Sequence, residues 1–332
     1  MRDPVWFEKR EDGWKCVLCP RGCTFPGGSD RLGLCRVRGV RDGRPFLPGY
    51  GRCVSLSIDP IEKKPLYHFL PGSRILSTGP PGCNLTCDFC QNWTISQSDG
   101  VPTRYIPPEE MAGICLSEGS AGIAFTYTEP VIWYEYIADT APLVRERGGA
   151  VVMVSNGEVL PEPLERYTEF TDAWNVDLKS WSEDFYSRHC SGRLSTVLGT
   201  LKTLAASRCH LEVTFLIIPG ENDDPSDWEE MADWLADNCG RNTVLHISRY
   251  FPGYRLKRPP TPEETLISAH ETFSSRLDHV YVGNVATDFS HTLCPSCGAV
   301  CIERKGWSVN TDGLREGKCA ACGADLGIVY EL

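Results

Sequence analysis

Three cysteines stand within eight residues of one another in GCNLTCDFCQNW (82–93): Cys83, Cys87 and Cys90. Thiolates at the spacing C-x3-C-x2-C can take three corners of a cubane [4Fe-4S] cluster, whose irons each normally carry one cysteine. The fourth iron is then open to an outside ligand, which suits chemistry rather than storage. Pro80, Pro81 and Gly82 turn the chain tightly into this loop. Phe89, between the last two thiols, can shield a cluster whose potential depends on its exposure to water. A zinc ion completed by a distant histidine, or three reduced buried thiols, are the alternatives. The flanks and the strand expected just before the loop favour the cluster.

Two further groups use the same ligand type. Cys294-x2-Cys297 and Cys319-x2-Cys322 are twin knuckles, each followed by glycine, and four thiolates so arranged make a closed tetrahedral zinc ribbon. An iron–sulfur cluster uses the same four thiolates, and Cys301 reads as a bystander. Cys16, Cys19, Cys23 and Cys35 form the third group. Zinc, an auxiliary [4Fe-4S] cluster and a redox-active thiol set all fit it, with zinc the first expectation. Cys190 is a candidate relay thiol close after DLKS (177–180).

Something must hold these groups in place. Apolar, β-branched runs at 74–79, 122–127, 150–156, 173–179, 211–218, 244–248 and 279–284 predict strands. Between them lie segments of helical period near 108–118, 130–147, 161–169, 195–207, 226–239 and 261–277, several opening on Pro, Ser or Thr and acids. Alternation of this kind predicts an α/β fold, a partial or full TIM-like parallel β/α barrel. Polar residues collect where the strands finish: the cysteine triplet, Thr126 to Glu129, Ser155 and Asn156, Asp177 and Lys179, His246 and Arg249, Asn284. In a parallel barrel those ends share one face, where such folds place their active sites. Asp177 and Lys179 alternate on one strand and so point the same way. Residues 1–70 read as a cysteine-rich extension, 71–290 as the barrel core and 291–332 as a zinc-ribbon-like module.

Of 332 residues, 33 are Lys or Arg and 44 Asp or Glu, a net charge of −11. Such a chain has no overall footprint for nucleic acid or anionic membrane. Its first residues lack the apolar region of a secretory signal, and no apolar run is long enough to span a bilayer. Of seventeen cysteines, twelve are clustered, and without a signal such clusters read as metal ligands in a reducing compartment, the cytoplasm.

The cysteine loop resembles that of the radical S-adenosylmethionine (SAM) superfamily. DPIEKKPLYHFLPGSRILSTGPPGCNLTCDFCQNW (59–93), TYTEPVIWYEY (126–136), NVDLKS (175–180), FLIIPGENDD (215–224) and HISRYFPGY (246–254), with the two terminal knuckles, are similar to the radical SAM member of the AmmeMemoRadiSam system. That group is close to the activating enzymes of pyruvate formate-lyase and other glycyl-radical enzymes. The resemblance implies that the open iron chelates the amino and carboxylate groups of SAM, whose reductive cleavage yields a 5′-deoxyadenosyl radical that abstracts hydrogen from a protein or small molecule. It also implies an external one-electron donor such as flavodoxin or ferredoxin. Glu129 would accept from the SAM amine, although this chain reads YTE where the family has two glycines before the acid. Ser155 and Asn156 would meet the ribose, Asp177 and Lys179 the methionyl end, and His246 the ribose or substrate side. A non-catalytic iron–sulfur electron carrier is the rival function, and it leaves Glu129, Asn156 and Lys179 without a role.

Overall fold

The computed structural model describes residues 3–27, 30–117, 119–285 and 287–332. Eight strands form the core sheet: β1 (Ser55–Pro60), β2 (Arg74–Gly79), β3 (Gly122–Phe125), β4 (Ala150–Ser155), β5 (Ala173–Asp177), β6 (His210–Ile217), β7 (Val244–Arg249) and β8 (His279–Gly283). They lie side by side in chain order. From β2 to β8 every pairing is parallel, and β1 runs antiparallel to β2. The sheet's two edges, β1 and β8, do not pair with each other, so the barrel is partial. Residues 55–60, expected within the extension, thus belong to the core sheet.

Helices α1 (Pro108–Ser117), α2 (Tyr134–Arg145), α3 (Pro161–Thr168), α4 (Leu194–Ala205), α5 (Pro225–Cys239) and α6 (Glu263–Ser274) connect successive parallel strands from β2 onward. Glu118, the end of the expected first helix, lies outside the described residues. The starts follow the sequence signals. In α5, Pro225 takes the first turn and the Asp224 carboxylate accepts from the Ser226 N–H at 2.9 Å. Its buried residues Trp228, Met231, Ala232 and Leu235 fall at i, i+3, i+4 and i+7, one stripe against the sheet. Short antiparallel strands make up residues 7–26 and 31–46, and short strands without a helix make up residues 292–319. Among the described residues no helix is long and apolar enough to cross a membrane.

The strands bury both faces, as a helix-covered parallel sheet must. Ile123, Phe125, Val151, Met153, Val176, Val213 and Phe215 join the large core shared with the helices. The opposite side chains, Ile75, Ala124, Ala150, Val152 and Ala173, meet Ile61, Leu66, Phe69 and Leu70. The segment 61–70 therefore plugs the N-terminal end of the barrel interior. Its tail-side partner is the C-terminal module: the Leu70 N–H donates to the Val329 carbonyl at 2.7 Å, and Val329 N–H returns to the His68 carbonyl at 2.8 Å.

Above the plug lies one ionic layer. The Glu212 carboxylate, fully buried on β6, accepts from the Tyr67 and His68 N–H groups and from His210 Nε2 and His246 Nε2. These partners hold it well below the usual carboxylate range, although burial alone would raise it.

Candidate functional site

All seven parallel strands deliver residues to one cavity of about 270 Å³ at their C-terminal ends. Cys83, Cys87 and Cys90 come from the loop after β2, Tyr127 and Thr128 follow β3, and Asn156 follows β4. Asp177 and Lys179 follow β5, Leu216 and Ser248 sit on β6 and β7, and Asn284 follows β8. Contributions to one cavity from the loop after β2 and from the end of the edge strand β8 require the sheet to curl.

The three thiols fit a cluster better than a single ion. All three face the cavity, yet they do not lie within 4.8 Å of one another, the spacing that a mononuclear site requires. Hydrogen bonds prepare two of the sulfurs. The Leu85 N–H donates to Cys83 Sγ at 3.3 Å, and Ser96 Oγ lies 3.2 Å from Cys90 Sγ. Phe89 is buried against Phe185, with ring centroids 5.8 Å apart, and covers the loop from the apolar side. Cys190 stays behind the loop. Its thiol sits against that of Cys87, and its carbonyl accepts from the Thr86 N–H at 3.0 Å, so it braces the triad and does not line the cavity.

In the same cavity, Lys179 Nζ pairs with Asp177 Oδ2 at 2.8 Å. Burial opposes the ammonium charge, but Asp177 and Cys87 keep its pKa well above the ordinary lysine value. Asp177 keeps 37% of its side chain exposed, and the pair faces the cavity rather than the outer surface. A zwitterion brought here would meet a cation and an anion already paired with each other. Asn156 adds an amide: its Nδ2 donates to Asn84 Oδ1 at 2.9 Å and reaches Cys83 Sγ at 3.6 Å.

Three expected contacts lie outside the cavity. Glu129 is fully buried behind the wall, where its carboxylate accepts from Val131 N–H at 2.9 Å, Ser155 Oγ at 2.7 Å and Asn156 N–H at 2.8 Å. Burial nevertheless pushes it up to about 7. Ser155 spends its hydroxyl on Glu129 and, as acceptor, on the Gly157 N–H at 3.1 Å. Both therefore position Asn156 and do not reach into the cavity. His246 points down into the ionic layer, with Nε2 2.5 Å from Glu212 and its ring edge-on to Tyr67 at 4.7 Å.

Other residues of the site were not foreseen. Tyr127 has φ of 75°, the left-handed region that glycine enters freely and a bulky residue does not. Its hydroxyl is tied to Ser57 at 2.7 Å and to Asp59 at 3.0 Å, and Asp59 is paired in turn with Lys63 and Lys64. Asn92 Nδ2 donates to the Tyr127 carbonyl at 2.8 Å. The departure from two glycines is thus accommodated by tying the Tyr127 hydroxyl to Ser57 and Asp59 on β1.

The C-terminal group has the opposite geometry to the triad. Cys294, Cys297, Cys319 and Cys322 bring their sulfurs within 4.8 Å of one another, with Cys294–Cys322 at 3.6 Å and Cys297–Cys319 at 3.7 Å. Thiolates about 2.3 Å from one tetrahedral ion stand at about this separation. Cys301 is buried in the module's small core beside this group.

An uncharacterized protein of Methanocaldococcus jannaschii is 40% identical over 99% of this chain and 100% of its own length. Among solved structures, a domain of pyruvate-formate lyase-activating enzyme from Bacteroides vulgatus is 17% identical, covering 49% of this chain and 99% of that one, with a TM-score of 0.44. A radical SAM methyltransferase from Sphaerobacter thermophilus is 16% identical over 69% of this chain and 73% of its own, with a TM-score of 0.48. The model of the radical SAM superfamily matches residues 78–235, a stretch that opens at the end of β2 just before the three thiols and takes in Asn156, Asp177 and Lys179. The chain belongs to the radical SAM superfamily, and the chemistry of its cavity is SAM-dependent radical chemistry.

Proposed function

We propose that this protein uses SAM to abstract a hydrogen atom from a protein substrate, as an activating enzyme does. The observation that carries the reading is the cavity itself: it is lined by three thiols and by an ion pair suited to a zwitterion, with no fourth cysteine lining it among the described residues. Bound together, the cluster and SAM supply a one-electron cleavage that delivers a carbon radical. The chain's own residues do the rest. Cys83, Cys87 and Cys90 hold three irons, Lys179 and Asp177 orient the methionyl end, and Asn156 fixes the wall between them. Leu85, Phe89 and Leu216 make the wall partly apolar, which limits water near a reactive radical.

The rim supports a protein substrate over a small molecule. Trp93, 39% exposed just after the cysteine loop, stacks on Tyr254 with ring centroids 5.1 Å apart, and Phe251, three residues before Tyr254 in the chain, is exposed as well. Flat aromatic surface at an open mouth suits an extended polypeptide segment. Glycyl-radical formation is the specific version, with flavodoxin or ferredoxin as donor, one zinc in the C-terminal tetrad, and a reducing compartment.

The test is anaerobic incubation of the reduced protein with SAM alone and then with fractionated cell extract, following 5′-deoxyadenosine. Protein fractions should accelerate its release, and deuterium placed in the responding protein should appear in it. Acceleration by the small-molecule fraction alone contradicts the protein-substrate reading.

A further inference from the structure

The four N-terminal cysteines line a second pocket. Cys16, Cys19, Cys23 and Cys35 face one another there with Leu18, Phe25 and Ile132 around them, and three of the four are buried. The chain carries its own calibration for such a group. Its C-terminal tetrad closes to sulfur–sulfur distances of 3.6 and 3.7 Å, and its triad does not. Among the described residues no three of the N-terminal thiols come within 4.8 Å of one another either. A zinc ion about 2.3 Å from each of four sulfurs would need them about 3.8 Å apart. In a cubane each thiolate binds a different iron, so the sulfurs stand farther apart, as they do in the triad.

We propose that Cys16, Cys19, Cys23 and Cys35 hold a second iron–sulfur cluster, of the [4Fe-4S] class, seated directly behind the first. Other groups around the pocket fit an anionic, sulfur-rich guest. The backbone N–H groups of Arg21 and Val37 point at the sulfurs of Cys19 and Cys35. Hydrogen bonds to sulfur are a principal means of setting a cluster's potential. The Arg38 guanidinium lines the pocket at 2% exposure, held by Glu135 and the Val5 carbonyl, and its Nε has no partner there. A buried donor without a partner, beside the Cys16 sulfur, is accounted for once an anionic cluster occupies the pocket.

The two cysteine loops touch backbone to backbone. Gly82, next to Cys83, has φ of 92°, and a Cβ added there would lie 2.1 Å from the Cys35 carbonyl oxygen. Asn84 walls the N-terminal pocket, while its neighbours Cys83 and Leu85 wall the main cavity. Arg36 fastens the contact, donating to the Ser96 carbonyl at 3.1 Å and the Gln97 carbonyl at 2.8 Å. Arg21 Nε adds a bond to the Asn84 carbonyl at 3.1 Å. The site stands on this packing and not on any choice of substrate.

Metal and sulfide counts on the intact, anaerobically loaded protein read the two occupants apart. A second cluster gives about eight irons, about eight sulfides and about one zinc per chain, against about four, about four and about two if the N-terminal site holds zinc. The full chain carrying Cys83→Ala, Cys87→Ala and Cys90→Ala should keep about four irons and four sulfides. Adding Cys16→Ser and Cys19→Ser should remove them and leave zinc unchanged. About four irons and two zincs in the intact protein would overturn the assignment, whatever the variants do.

Discussion

The barrel has two polar interiors, and they differ in what they leave unused. On the floor, Glu212 spends both carboxylate oxygens on Tyr67, His68, His210 and His246. At the mouth, at the end of the neighbouring strand β5 and just beyond it, Asp177 and Lys179 have each other and the cavity. Both pairs are ionic and both face inward. Burial of charge is therefore no mark of function here; the spare hydrogen-bonding capacity is. Glu129 belongs with the floor in this respect, because three donors already fill its oxygens.

That contrast is broken most severely by Glu212→Ala. It strands two histidines and two backbone N–H groups in the interior, and removing one partner of a buried ionic group costs about 3–5 kcal/mol. Chemical denaturation should show the loss. A stable variant would mean that the floor is wetter than its burial suggests.

Next in size is the pH dependence of Glu129. Its folded pKa is raised from an ordinary 4.5 to about 7. The folded chain therefore binds this proton more tightly than the unfolded chain does. Its contribution to stability is complete below about pH 4.5 and is lost as the pH rises through about 7. A shift of this size corresponds to about 3 kcal/mol. Glu158, also raised to about 7 by burial, acts in the same direction. Glu129→Gln mimics the protonated group, so its unfolding free energy should fall less steeply between pH 4.5 and 7 than that of the wild type. Equal slopes in the two proteins would place the titration elsewhere.

The mouth responds differently. Lys179→Ala should leave the iron–sulfur absorption intact and weaken SAM affinity by roughly 10- to 150-fold, the worth of one charge-assisted contact. Titration of the loaded protein with SAM measures it. Unchanged affinity would make Lys179 a brace like Glu212.

The same contrast explains how much could be read from the chain. The seven parallel strands and six helices were legible because apolar runs and helical stretches alternate, and the cysteine loop was legible because its ligands are adjacent in sequence. The layer at each strand end was legible too, but not the depth of each side chain within it. His246 sits level with Thr214 on the neighbouring strand, yet Thr214 lines the cavity while His246 turns to Glu212. Nothing local distinguishes them. Glu212 itself hid in the apolar run LEVTFLII, where its partners at 67–68 are more than 140 residues away. The edge strand β1 escaped notice because its sequence, SLSIDP, alternates weakly and ends in proline.

The most direct test of the central claim is the stoichiometry of SAM cleavage. Reduced, cluster-loaded protein should convert SAM to methionine and 5′-deoxyadenosine in equal amounts, and Cys90→Ala, which removes one anchor of the open-iron cluster, should form neither. Equal turnover in wild type and Cys90→Ala, or an intact protein that binds SAM and leaves it whole, would contradict the account.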